Sequence, residues 1–125
     1  MITYTTKTDT KTGEVTYRYL LTQGDSFRFR AIVGGGDDTD TQKLVAGIKF
    51  KVSSADWCQI YEADYVQDTE TAGTWYCFVP SEETAKWAVS EDYDYRTEIE
   101  VTYSDGGVDT VEKGVLKVAE QIKEC

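Results

Sequence analysis

At 125 residues the chain has the length of one domain, and a composition 40% hydrophobic and 13% aromatic is enough to fill a core. With 23 acids against 13 bases the net charge is −10, which argues against binding phosphates through clustered cations and so against nucleic acid and anionic membrane surfaces as partners. The absence of histidine excludes histidine-ligated zinc and histidine-based triads, and no apolar run approaches the roughly 20 residues that span a bilayer.

In chain order, the opening MITYTTKTDT has no basic stretch leading into an apolar block, so it does not read as a secretory signal. Residues 1–12 are polar and threonine-rich and are expected to be loose, as are residues 123–125. From Glu14 to Leu21, Val15, Tyr17, Tyr19 and Leu21 share one parity, the period of a half-buried strand. Gln23, Gly24 and Asp25 form a turn, after which Phe27, Phe29, Ala31 and Val33 alternate with outward Arg28 and Arg30. The glycine-rich stretch Gly34–Thr41 is a surface loop. Ile48, Phe50 and Val52 mark a third strand, and Trp57–Ala63 a fourth of ambiguous parity.

After the polar stretch Gln67–Gly73, the segment TWYCFV is apolar on both parities, as in a central strand covered on each face or one near a sheet crossover. Pro80 ends it, and a short helical turn near residues 81–88 is expected, with Ser81 as N-cap, Glu82 and Glu83 in its first turn and Trp87 packing back. Tyr93, Tyr95, Thr97, Ile99, Val101 and Tyr103 then alternate with Asp94, Arg96, Glu98, Glu100 and Thr102. A hairpin turn at residues 104–107 uses Gly106 and Gly107, and a returning strand carries Gly114, expected as a bulge or bend, before Leu116 and Val118. This amounts to about seven to eight short strands and one helical turn: an all-β, immunoglobulin-like antiparallel sandwich, residues 1–125 forming a single domain.

The candidate chemistry is thin. Cys58, Cys77 and Cys125 show no CxxC spacing; Cys58 and Cys77 could lie across neighbouring strands and bridge, but are expected to be reduced, buried small hydrophobes, and Cys125 a free thiol at a frayed end. Acids gather at Asp37, Asp38 and Asp40, at Asp64, Asp68 and Glu70, and at Glu91, Asp92 and Asp94, where calcium would find oxygen ligands. None fits the EF-hand spacing, and all are expected to be solvated loops. With so many carboxylates a glycosidase-like pair has no specificity as a signal, so no catalytic residue, metal ligand or cofactor is assigned and no enzymatic activity is expected. Trp57, Trp75, Trp87, Tyr61, Tyr76 and Tyr103 could stack against sugars, although most are expected in the core. Long strand edges rich in threonine and tyrosine offer a route to pairing with another subunit.

A set of fold-determining residues carries a resemblance: Thr84 with Trp87 in the helical turn, Tyr93 and Tyr95, the turn at Asp105 and Gly106, Thr110, Gly114, and Leu116 with Val118, preceded by QGDSFRFRAIV and AGIKFKV. From Gln23 to Ile122 this is similar to immunoglobulin-like domains of phage and prophage tail and baseplate proteins, including the N-terminal domain of the baseplate upper protein family. The sequence differs from the family at Arg96 and Thr97, where an acid and an aliphatic are usual. The resemblance implies a non-enzymatic structural domain of a virion, made in the bacterial cytoplasm, whose partners are other phage structural proteins or copies of itself. The alternative is a carbohydrate-binding sandwich at a cell surface.

Overall fold

The computed structural model describes residues 2–33, 44–71 and 73–122. Within them the alternating segments fold as nine strands: β1 (Ile2–Thr8), β2 (Val15–Thr22), β3 (Phe27–Ile32), β4 (Val45–Ser53), β5 (Gln59–Asp64), β6 (Val66–Gln67), β7 (Thr74–Val79), β8 (Tyr95–Tyr103) and β9 (Val108–Ala119). One helical turn, α1 (Ser81–Thr84), joins β7 to β8. The strands form a six-stranded sheet in the order β1-β2-β9-β8-β4-β5 and a three-stranded sheet in the order β3-β7-β6.

This is the strand order of an immunoglobulin-like sandwich: β9, β8 and β4 stand as G, F and C with β5 beside them, and β3, β7 and β6 as B, E and D. One pairing departs from the all-antiparallel expectation, because β2 runs parallel to β9 from Tyr17–Gly114 to Thr22–Ala119. Side-chain alternation fixes which face a strand buries but not its direction, and the long excursion between these two strands supplies the crossover a parallel pair needs.

The core forms where the two inner faces meet. Leu21, Phe27, Ile48, Phe50, Val52, Cys77, Val79, Trp87, Leu116 and Val118 are buried, each large apolar side chain contributing about 1.5–3 kcal/mol. Phe50, on the central strand β4, meets Phe27 and Phe29 edge-on, with ring centres 6.0 and 5.1 Å apart. Tyr95, the first residue of β8, donates its hydroxyl hydrogen bond back to the carbonyl of Ala88 at 2.7 Å. This is the tyrosine corner of immunoglobulin-like folds. Two residues on, where antibody domains place the second cysteine of their inter-sheet bridge, stands buried Thr97.

Several local expectations are corrected. The polar start is not left loose: β1 pairs with β2 through seven register positions, from Ile2–Leu21 to Thr8–Val15. Pro80, rather than Ser81, occupies the N-cap position of α1, and no side chain caps it. The irregularity in β9 falls at Val111, between the Ile99–Glu112 and Glu100–Thr110 pairs, and not at Gly114. Gly114 instead marks a close approach, since a Cβ there would lie 2.5 Å from Thr97 Oγ1 and 2.9 Å from the Tyr17 carbonyl. Cys77 is buried, but Cys58 is exposed in a turn, and the two are not bridged. Residues 123–125, including Cys125, lie outside the described residues.

Candidate functional site

The acids singled out by sequence do not converge. Asp37, Asp38 and Asp40 lie outside the described residues. Asp68 accepts a hydrogen bond from the Glu70 backbone N–H at 3.2 Å, and Asp92 one from the Tyr93 N–H at 2.8 Å, so both act as local turn acceptors. Among the described residues no group of three or more Cys, Asp or Glu side chains could hold a metal ion. Burial holds the Glu112 carboxyl above its usual range, opposed by the hydrogen bond it accepts from the Tyr19 hydroxyl. The Tyr19 side chain crosses Gly114 to reach Glu112, so this pair ties β2 to β9.

The six aromatics divide sharply. Trp75 and Trp87 are buried, Trp87 against Phe27 and Tyr61 with its indole N–H donating to Glu83 at 3.3 Å. Tyr103 is partly buried and donates to Asp109 at 3.1 Å. Tyr76 lies on the outer face of β7, and Trp57 alone of the six is exposed, at 68%.

Trp57 owes its position to the β4–β5 hairpin. Its N–H donates to the Ser54 carbonyl at 3.0 Å and the Ser54 N–H to the Cys58 carbonyl at 2.9 Å, a type I turn followed by a left-handed residue. Trp57 is that residue, at φ +64°, among the described residues the one non-glycine with positive φ. A bulky side chain there carries strain of about 1–3 kcal/mol that glycine would avoid. The guanidinium of Arg96 sits 5.4 Å from the indole centre and donates to the Tyr93 carbonyl at 3.3 Å. Beneath the ring, the outer face of the six-stranded sheet presents cross-strand rows: Gln59–Ser53–Arg96, then Glu62–Lys51–Glu98, then Asp64–Lys49–Glu100. Lys51 bonds Glu100 at 2.9 Å and Lys49 bonds Glu62 at 2.7 Å, so opposite charges are interleaved across the face. Between Trp57 and the first two rows lies a depression of about 240 Å³.

Two further surfaces stand out, the second an open edge of the kind the threonine- and tyrosine-rich alternation predicts. The outer face of β7 is open instead of covered, leaving Phe78 53% exposed, with Val66 and Ile32 exposed nearby and Arg28 lying 5.7 Å from the Phe78 ring centre and 6.0 Å from that of Tyr76. Aromatics on both parities of TWYCFV were the signal, readable either as two covers or as one open apolar face. The second surface is the edge of β1: no described strand pairs with its outer side. Its sequence ITYTTKT contains no proline and one charge, Lys7, whereas the opposite edge, β5, carries Glu62 and Asp64.

Fold and surface together define a β-sandwich of immunoglobulin-like type with its polar groups spread over exposed faces. No family model matches the chain, and no curated protein does. Among solved structures it is similar to extracellular domains 3–5 of Drosophila OTK, at 12% identity and a TM-score of 0.39, the match covering 85% of this chain and 33% of that one. At that score the likeness carries no argument about function.

Proposed function

We propose that the protein is a non-enzymatic joining domain that assembles with neighbouring subunits by strand addition, and that its setting is the tail or baseplate of a phage or prophage. The observation that carries the reading is the β1 edge, seven residues long, hydrogen-bonded on one side, free of proline and bulges and with a single lysine, Lys7, near its end. An open edge supplies backbone donors and acceptors at a fixed spacing, and a second strand satisfies them without any pocket. Local charge favours the same edge: in a chain of net charge −10, β1 carries no acid. The resemblance at Tyr93, Tyr95, Asp105, Gly106 and Gly114 supports the phage setting, with assembly into a virion after synthesis in the bacterial cytoplasm.

Sedimentation at rising concentration tests the edge. Adjacent residues of an edge strand point their N–H groups alternately inward and outward, so of Thr5→Pro and Thr6→Pro one breaks the ladder to β2 and the other only the outer side. The outward variant should stay monomeric with an unchanged Tm while the parent associates. A parent that remains monomeric throughout would remove self-assembly from the reading. Peptide mass spectrometry of purified, induced virions tests the setting, and absence of the chain from the particles would refute it.

A further inference from the structure

We propose that the depression beside Trp57 is a carbohydrate site, distinct from the assembly edge, in which the indole stacks on a neutral pyranose and the side chains of β4, β5 and β8 bond its hydroxyls. Trp57 is both strained and exposed, at φ +64° and 68% in solvent. Burial therefore does little to offset the strain, and glycine would hold the same turn without it. A side chain kept under those conditions points to a role outside folding.

The surroundings select the ligand class. Trp57 presents a broad flat apolar ring with the Arg96 guanidinium over it, and around them stand Lys51 and Arg96 as donors, Glu98 and Ser53 as acceptors, the Ser53 hydroxyl already donating to the Ser54 carbonyl, and Gln59 as both. Hydroxyls donate and accept, so a sugar with one apolar C–H face and a fringe of hydroxyls matches this set. Fixed charge does not favour an ionic ligand: Lys51 is paired with Glu100, and Arg96 has Glu98 two residues along the same face. An anionic glycan would also meet a protein of net charge −10.

The test is an NMR titration of the full ¹⁵N-labelled chain with methyl glucopyranoside, methyl galactopyranoside and N-acetylglucosamine, with glucuronate as the charged control. At least one neutral saccharide should move the Trp57 indole N–H signal and leave those of buried Trp75 and Trp87 in place. Trp57→Gly should melt no lower than the parent yet lose the saccharide-induced shifts of the Ser53, Gln59 and Glu98 backbone amides that the parent shows, and Arg96→Gln should weaken binding about tenfold. The proposal is overturned if no neutral saccharide perturbs Trp57, if glucuronate alone does so, or if Trp57→Gly melts well below the parent. A Trp57→Gly variant that changes self-association, with no saccharide response in the parent, would make the residue a protein contact and equally overturn it.

Discussion

Gly114 shows how one missing side chain can fix three strands. It pairs with Tyr17 of β2 and Thr97 of β8 at once, and the first atoms a methyl group would strike include the Tyr17 carbonyl, which cannot move without moving β2. Gly114→Ala should therefore destabilise by about 1–3 kcal/mol, read from the urea midpoint. Tyr95→Phe removes the hydroxyl of the tyrosine corner and keeps the ring; the expected loss is about 1 kcal/mol in the same measurement. Burial raises the Cys77 thiol from 9.0 to about 11 and pushes the Tyr19 and Tyr65 phenols above their ordinary 10.0. In each case the folded protein favours the neutral form and the unfolded chain ionises first. The contribution of these three groups is thus full below pH 9, falls as pH rises towards 11 through Cys77, and falls further above pH 10 through the tyrosines. Urea midpoints measured across that range should decline, and Cys77→Ala should remove the earliest part of the decline.

Between elements, what the period of the sequence encodes and what it leaves open separate cleanly. Phe27 and Phe29 on β3, Ile48, Phe50 and Val52 on β4, and Thr97 to Tyr103 on β8 all turn inward as their parity predicts, so the two layers and most strand positions were legible. Direction was not, because the parallel union of β2 and β9 leaves the same alternation as an antiparallel one. Nor was β1, whose threonines are exposed and which is held by its ladder to β2 and by Tyr4 lying near Tyr17 and Tyr19. Of the candidate site, Trp57 is legible as an aromatic but its exposure follows from a turn where the pattern predicts a strand, and Arg96 is legible as an outward residue and a departure from the resembled family, not as a partner of Trp57. The open face of β7 gives an element-scale prediction: Phe78→Thr should leave stability within about 0.5 kcal/mol while reducing binding of a hydrophobic dye, because Phe78 faces outward rather than into the core. Deleting residues 2–13 should lower Tm but keep a single cooperative transition, since β1 meets the core only through half-buried Ile2 and the exposed ring of Tyr4 against Tyr19.

For the molecule as a whole, a charge of −10 on 125 residues repels itself in the compact state. Raising salt from about 10 mM to about 150 mM shortens the screening length from about 30 Å to about 8 Å. Tm should therefore rise over that interval, the surface pair Lys49–Glu62 and the half-buried pair Lys51–Glu100 being too few to reverse the trend. The parallel contact of β2 with β9 has a mechanical consequence as well. Tension applied at the two ends of the chain would first peel β1 from β2, breaking its pairs one after another from Ile2 towards Thr8. The load would then arrive at the start of β2 while the opposing pull acts at the end of β9, so the six register positions between them would be sheared together. A stretched molecule should give way in two steps, a soft one that pays out slack and a stiff one that holds.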